Sequence, residues 1–174
     1  MFFDDKIQKQ YDYVVFVDED CIISNIDEII KMMDSTDVDV VGVPDGGCID
    51  IRYHRPDVPN LFFVVIKTDK IKNIQKEKYI GFKVNDSYCG NKFAFDSFEP
   101  YYDFFCYIIY ELHCNFFHLN AKTSELDNTT TEVFFDGNLI AVHTWFARKY
   151  KDNEENRKRI VDSILYYKNI LHLR

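Results

Sequence analysis

The chain has 174 residues, 47% hydrophobic and 29% charged, the balance of a folded domain long enough to bury a core. Its formal net charge of −8 argues against a nucleic-acid partner, because binding a phosphate backbone needs a basic footprint. A nucleotide held through a divalent metal survives that exclusion, since the metal brings the positive charge.

Tyr13–Val17 is short, aromatic and β-branched, and predicts a buried strand that runs into Asp18, Glu19 and Asp20. Ser24–Ser35 predicts a helix. Ser24 is placed to cap it, with Asp27 three residues on, and Ile26, Ile29, Ile30 and Met33 form one apolar stripe. Asp37–Val43 predicts a second strand, closed by a turn at Pro44, Asp45, Gly46 and Gly47. Asn60–Thr68 is a continuous apolar run suited to a strand covered on both faces. Asp69–Glu77 reads as a short helix or turn, and residues 81–96 as irregular.

Ser97–Cys114 predicts the clearest long helix, with Pro100 in its first turn and Phe104, Tyr107, Ile108 and Leu112 toward the core. Glu132–Trp145 reads as two strands joined at Asp136, Gly137 and Asn138. Asn153–His172 predicts a final helix, capped by Asn153, with Ile160, Ile164, Tyr167 and Leu171 on one stripe. Strands alternating with helices give an α/β fold: a mixed sheet flanked by helices, in one domain over residues 1–174. Ligands of such sheets bind beyond the carboxyl ends of strands, where Asp18, Asp20 and His143 fall.

Cys21, Cys48, Cys89, Cys106 and Cys114 are odd in number and include no C-x-x-C pair, which points to reduced thiols and a cytoplasmic location. The first residues have neither the basic start nor the apolar stretch of a secretory signal, and no apolar run reaches membrane-spanning length.

Three adjacent carboxylates at the end of a buried strand repel one another, at a cost on the order of several kcal/mol in a partly dry site. A hard divalent cation relieves that cost, and manganese or magnesium takes one or two carboxylates plus substrate phosphates. Along an extended segment, Asp18 and Asp20 point to one side and Glu19 to the other. The plainer alternative is that these acids cap the following helix, whose N-terminus favours negative charge. His113, Cys114 and His118 lie close together without zinc-site spacing. Asp50, Arg52, His54 and Arg55 share a loop segment that can border a site.

The segment "YDYVVFVDEDC", with the amphipathic helix after it, resembles the D-x-D strand of the GT-A-fold glycosyltransferases. The likeness continues at "VVGVPDGG", "FFVVIKTD" and "LIAVHTWFARKY", from about residue 8 to residue 150. It implies a manganese or magnesium cofactor held by Asp18, Asp20 and His143, with Asp18 also near the ribose. It implies a UDP- or GDP-sugar donor and a glycan or other hydroxyl acceptor. Arg148 and Lys149 would help neutralise the diphosphate, unless they are surface charges. Inverting members need a carboxylate base at the start of an acceptor-side helix; Asp103 is preferred, with Glu99 on the same helical face and Asp96 as a further candidate. A complete domain of that family has further strands ahead of the D-x-D strand, which here begins near Tyr13. The resemblance therefore implies a partial GT-A-like domain, short at its N-terminus. One edge of Tyr13–Val17 is then left for a second copy or a complementing chain. The alternative is a non-catalytic sugar- or partner-binding remnant of the fold.

Overall fold

The computed structural model describes residues 10–44, 58–72 and 104–171, apart from the side chain of Arg148. The fold is α/β, with one mixed sheet, one antiparallel sheet and helices. The strands are β1 (Tyr13–Val17), β2 (Cys21–Ile23), β3 (Val40–Pro44), β4 (Pro59–Lys67), β5 (Phe116–His118), β6 (Asn120–Thr123), β7 (Thr131–Phe135) and β8 (Asn138–His143). The helices are α1 (Asp27–Ser35), the single turn α2 (Thr68–Ile71) and α3 (Glu154–Ile170). No helix among the described residues is long and apolar enough to cross a membrane.

Sheet A has the order β1-β4-β3-β5, with β4 antiparallel to both neighbours and β5 parallel to β3. Sheet B has the order β2-β8-β7-β6 and is antiparallel throughout. The chain steps from the end strand of one sheet to that of the other twice, from β1 to β2 and from β5 to β6. At the second step the Leu119 N–H donates to the Gly42 carbonyl at 2.9 Å. Among the described residues β1 is the end strand of sheet A, paired with β4, and it is half-buried with Val17 exposed, where the sequence predicts a buried strand.

Alternation along β3 and β4 sends side chains into two cores. On one face, Val40, Val64 and Ile66 pack with Ile71, Phe104, Phe105 and Ile108. On the other, Val41, Val43, Phe63 and Val65 pack with Ile29 and Met33 of α1 and with Val133 and Ala141 of sheet B. Covered on both faces, β4 carries the unbroken apolar run seen in its sequence.

Three local expectations are corrected. Ser24 does not cap α1: its hydroxyl donates to the Ile140 carbonyl of β8 at 3.1 Å, and Asn25 Oδ1 accepts the Asp27 N–H instead. Leu112 is exposed rather than in the core, because Tyr107–Glu111 is a π-helical turn. Its wider winding puts one more residue in the turn and rotates Leu112 outward, while Phe105 and Cys106 join Phe104 and Ile108 in burial. Asp18–Cys21 is a tight turn rather than an extended segment, closed by the Cys21 N–H on the Asp18 carbonyl at 3.1 Å. The hairpin and the last helix follow their patterns. Asp136 and Gly137 both have positive φ, as a two-residue type I′ turn requires, and Asn153 Oδ1 accepts the Asn156 N–H at 2.9 Å.

α3 is fastened to sheet B through Asp127, in the β6–β7 connection. Its carboxylate accepts from the Thr129 and Thr130 N–H groups, the Thr130 and Ser163 hydroxyls and Arg159 Nη1. Burial alone would push this carboxyl up. The bonds from Thr130, Thr129 and Arg159 outweigh it and hold the group well below the usual carboxylate range. A folded-state value below the unfolded value, about 3.9, gives stability that is present above that value and lost as pH falls below it. Asp127→Asn should therefore cost about 3 kcal/mol at pH 7. In urea denaturation the gap from the unaltered chain should narrow below about pH 4; a gap independent of pH would contradict this assignment.

Candidate metal centre

The site forms where β1, β2 and β8 meet. Antiparallel pairing of β2 with β8 sets Cys21 opposite His143, and the turn before β2 brings both aspartates to the same place. His143 Nε2 lies 2.9 Å from Asp20 Oδ1 and 3.8 Å from Asp18 Oδ2. Glu19 is exposed. The expected division of the three acids thus holds, by way of a turn. One ligand atom from each of Asp18, Asp20 and His143 lies within 4.8 Å of the others. Among the described residues this is the one group of three or more such side chains with metal-holding geometry. The His143 side chain is 2% exposed, Asp20 10% and Asp18 42%, so the centre faces solvent on the Asp18 side.

Asp20 is held from several sides. Its Oδ2 accepts the Ala147 N–H at 3.2 Å, and its carbonyl accepts the Thr144 N–H at 2.9 Å. Burial would raise its carboxyl, but the hydrogen bond and charge of His143, together with the Ala147 N–H, outweigh it and lower the group. Cys21 goes the other way. Burial first, then the charges of Asp18 and Asp20, push its thiol far up.

The His143 ring is held between Phe62, stacked at 4.5 Å and 15°, and Trp145, tilted at 4.1 Å and 48°. Phe62 reaches the ring because the β3–β4 register slips between Gly42 and Pro44, and such irregularities re-aim side chains. Gly42 permits the close approach there: a Cβ would lie 3.1 Å from the Phe63 carbonyl oxygen and 3.2 Å from Pro59 Cβ. Trp145 is oriented in turn by its Nε1–H, which donates to Thr131 Oγ1 at 2.8 Å. His143 is thus a packed ring whose Nε2 faces both aspartates.

An octahedral cation with ligands near 2.1 Å spaces adjacent donors by about 3 Å; the 2.9 Å between His143 and Asp20, here a hydrogen bond, matches that spacing, and the 3.8 Å to Asp18 is wider. Carboxylates suit magnesium and manganese, while imidazole suits transition metals, so the donor set is compatible with a divalent cation of either kind. Coordination through Nε2 places the ring proton on Nδ1, which is buried with no partner among the described residues. The centre therefore lacks the outer hydrogen bond that usually strengthens a histidine ligand.

The turn Ala147–Lys149 follows the site directly and carries Arg148. Lys149 Nζ sits 5.3 Å over the exposed Phe146 ring. Glu99, Asp103 and Asp96 lie outside the described residues, as do Asp50, Arg52, His54 and Arg55. Cys114 is buried in the first core and Cys21, Cys106 and Cys114 are free thiols. The roles of Phe62, Thr131, Asn156 and Arg159 carry no signal in the sequence, because each acts through a contact between separate segments. No protein-family model, curated protein or solved structure matches this chain.

Thr131→Val is nearly isosteric and leaves the Trp145 indole N–H without its acceptor. It should cost about 1–2 kcal/mol in urea denaturation; an unchanged midpoint would mean that packing alone holds the indole.

Proposed function

We propose that the chain is a metal-dependent glycosyltransferase of the GT-A type, moving a sugar from a UDP- or GDP-sugar to a hydroxyl of a glycan, lipid or protein. One observation carries the reading. Asp20 and His143, singled out by their motifs and 123 positions apart, meet at hydrogen-bonding distance, with Asp18 beside them. Manganese or magnesium in that centre would neutralise the departing diphosphate. Asp20 and His143, buried and fixed, would hold the ion from the protein side. Asp18, at the solvent-facing rim, would meet ion and ribose. Arg148, in the next turn, would add positive charge toward the diphosphate. Asp103, or Glu99 in its place, would take the proton of the acceptor hydroxyl, giving single displacement with inversion.

A second reading is a non-catalytic sugar- or partner-binding member of the same fold. It is favoured by the fact that both Asp20 oxygens and His143 Nε2 already have protein partners without an ion.

Thermal melting with manganese and UDP separates the two. Ligand at 100 times its Kd stabilises by about 2.7 kcal/mol, a rise on the order of 5–10 °C for a chain of this size. The rise should need both metal and nucleotide and should vanish in Asp20→Asn. No rise with any nucleotide, together with a rise on free oligosaccharide, would favour the second reading. Asp103→Asn should keep the metal-dependent rise and abolish sugar transfer; full turnover in that variant would move the base to Glu99.

A further inference from the structure

Trp145 and Phe146 follow His143 closely, and both have left-handed backbones, with φ of 59° and 64°. Bulky side chains rarely adopt that conformation, because Cβ crowds the following carbonyl oxygen. Two in succession persist only where their surroundings hold them. One hold is backbone, the Lys149 N–H on the Phe146 carbonyl at 2.9 Å; the others are two side chains three residues apart on α3. Asn156 Nδ2 donates to the Phe146 carbonyl at 3.0 Å, and Arg159 Nη2 donates to the Trp145 carbonyl at 2.9 Å. Each strained residue thus has its own donor on one helix face. The donors brace each other, since Arg159 Nη2 also reaches Asn156 Oδ1 at 2.9 Å, and Arg159 Nη1 is anchored on Asp127 at 2.9 Å. The peptide whose Phe146 carbonyl accepts from Asn156 also carries the Ala147 N–H that binds Asp20 Oδ2.

We propose that Asn156 and Arg159 are positioning residues: they hold the left-handed Trp145–Phe146 turn so that the Ala147 N–H fixes the second oxygen of Asp20 and leaves its first oxygen aimed at His143. Neither touches the three candidate ligands, and neither belongs to the motif that picks those ligands out. Only the second measurement below rests on the metal reading.

The first measurement is hydrogen–deuterium exchange at single amides, by NMR, on the metal-free chain. Arg159→Lys keeps a cation near Asp127 but loses the fork that reaches Trp145. Asn156→Ala loses the Phe146 contact. Each should speed exchange of the Ala147 amide at least about tenfold relative to Val142 in β8, a local loosening beyond any general fall in stability. In a Phe146→Gly background, where a left-handed residue carries no strain, adding Asn156→Ala should speed Ala147 exchange by less than about twofold. The second measurement is manganese affinity, which should fall by about tenfold or more in Arg159→Lys and Asn156→Ala. Ala147 exchange unchanged in both variants, or Ala147 and Val142 accelerating together, would overturn the proposal. If the unaltered chain binds no manganese, the metal reading fails, and the exchange result still decides whether the turn is held in this way.

Discussion

A three-residue strand holds the candidate centre together. Cys21–Ile23 pairs antiparallel with Ala141–His143, and that register fixes His143 beside the turn that carries Asp18 and Asp20. A slip of one residue would send His143 to the opposite face of sheet B, since neighbouring side chains in a strand alternate. Ser24 reinforces the register with its N–H and its hydroxyl, both donating to the Ile140 carbonyl. Thr144 adds a bond at the other end, to the Asp20 carbonyl. The rest of the sheet architecture keeps this short pairing in place, because β2 continues from β1 and β8 is locked between β2 and β7.

The electrostatics of the centre follow from that geometry. Asp20 is nearly buried and would be expensive to ionise alone, yet it is flanked by the His143 ring and the Ala147 N–H and stays charged. Asp18 is more exposed and is screened by solvent. The centre thus combines a rigid, buried half with a wet, adjustable half. This suits an ion that keeps several non-protein ligands, such as water or phosphate oxygens. The orphan Nδ1 of His143 limits how tightly the protein alone would grip such an ion.

Much of this was legible in the sequence because the relevant signals are local. Tyr13–Val17, the covered β4 run, the Asp136-Gly137 turn and the Asn153 cap each follow from a few adjacent residues. The metal candidates were legible as types at strand ends. What escaped was set by partners. β2 is too short to show a period of two, and β5 and β6 are strands because β3 and β7 pair with them, not because "FFH" or "NAKT" alternates strongly. Ser24 looked like a cap and found a carbonyl across the sheet. The π-helical turn moved Leu112 out of a stripe that an α-helix would have kept inside. Asn156 and Arg159 carry no local signal, because the strained turn that gives them a task lies in another segment.

The central claim is that Asp18, Asp20 and His143 bind one divalent ion through both oxygen and nitrogen. Pulsed electron paramagnetic resonance of manganese bound to the chain reads this directly. The account predicts one manganese per chain with hyperfine coupling to a single imidazole nitrogen, and loss of that coupling in His143→Gln. Manganese surrounded by oxygen alone, or a coupling that survives in His143→Gln, would contradict it.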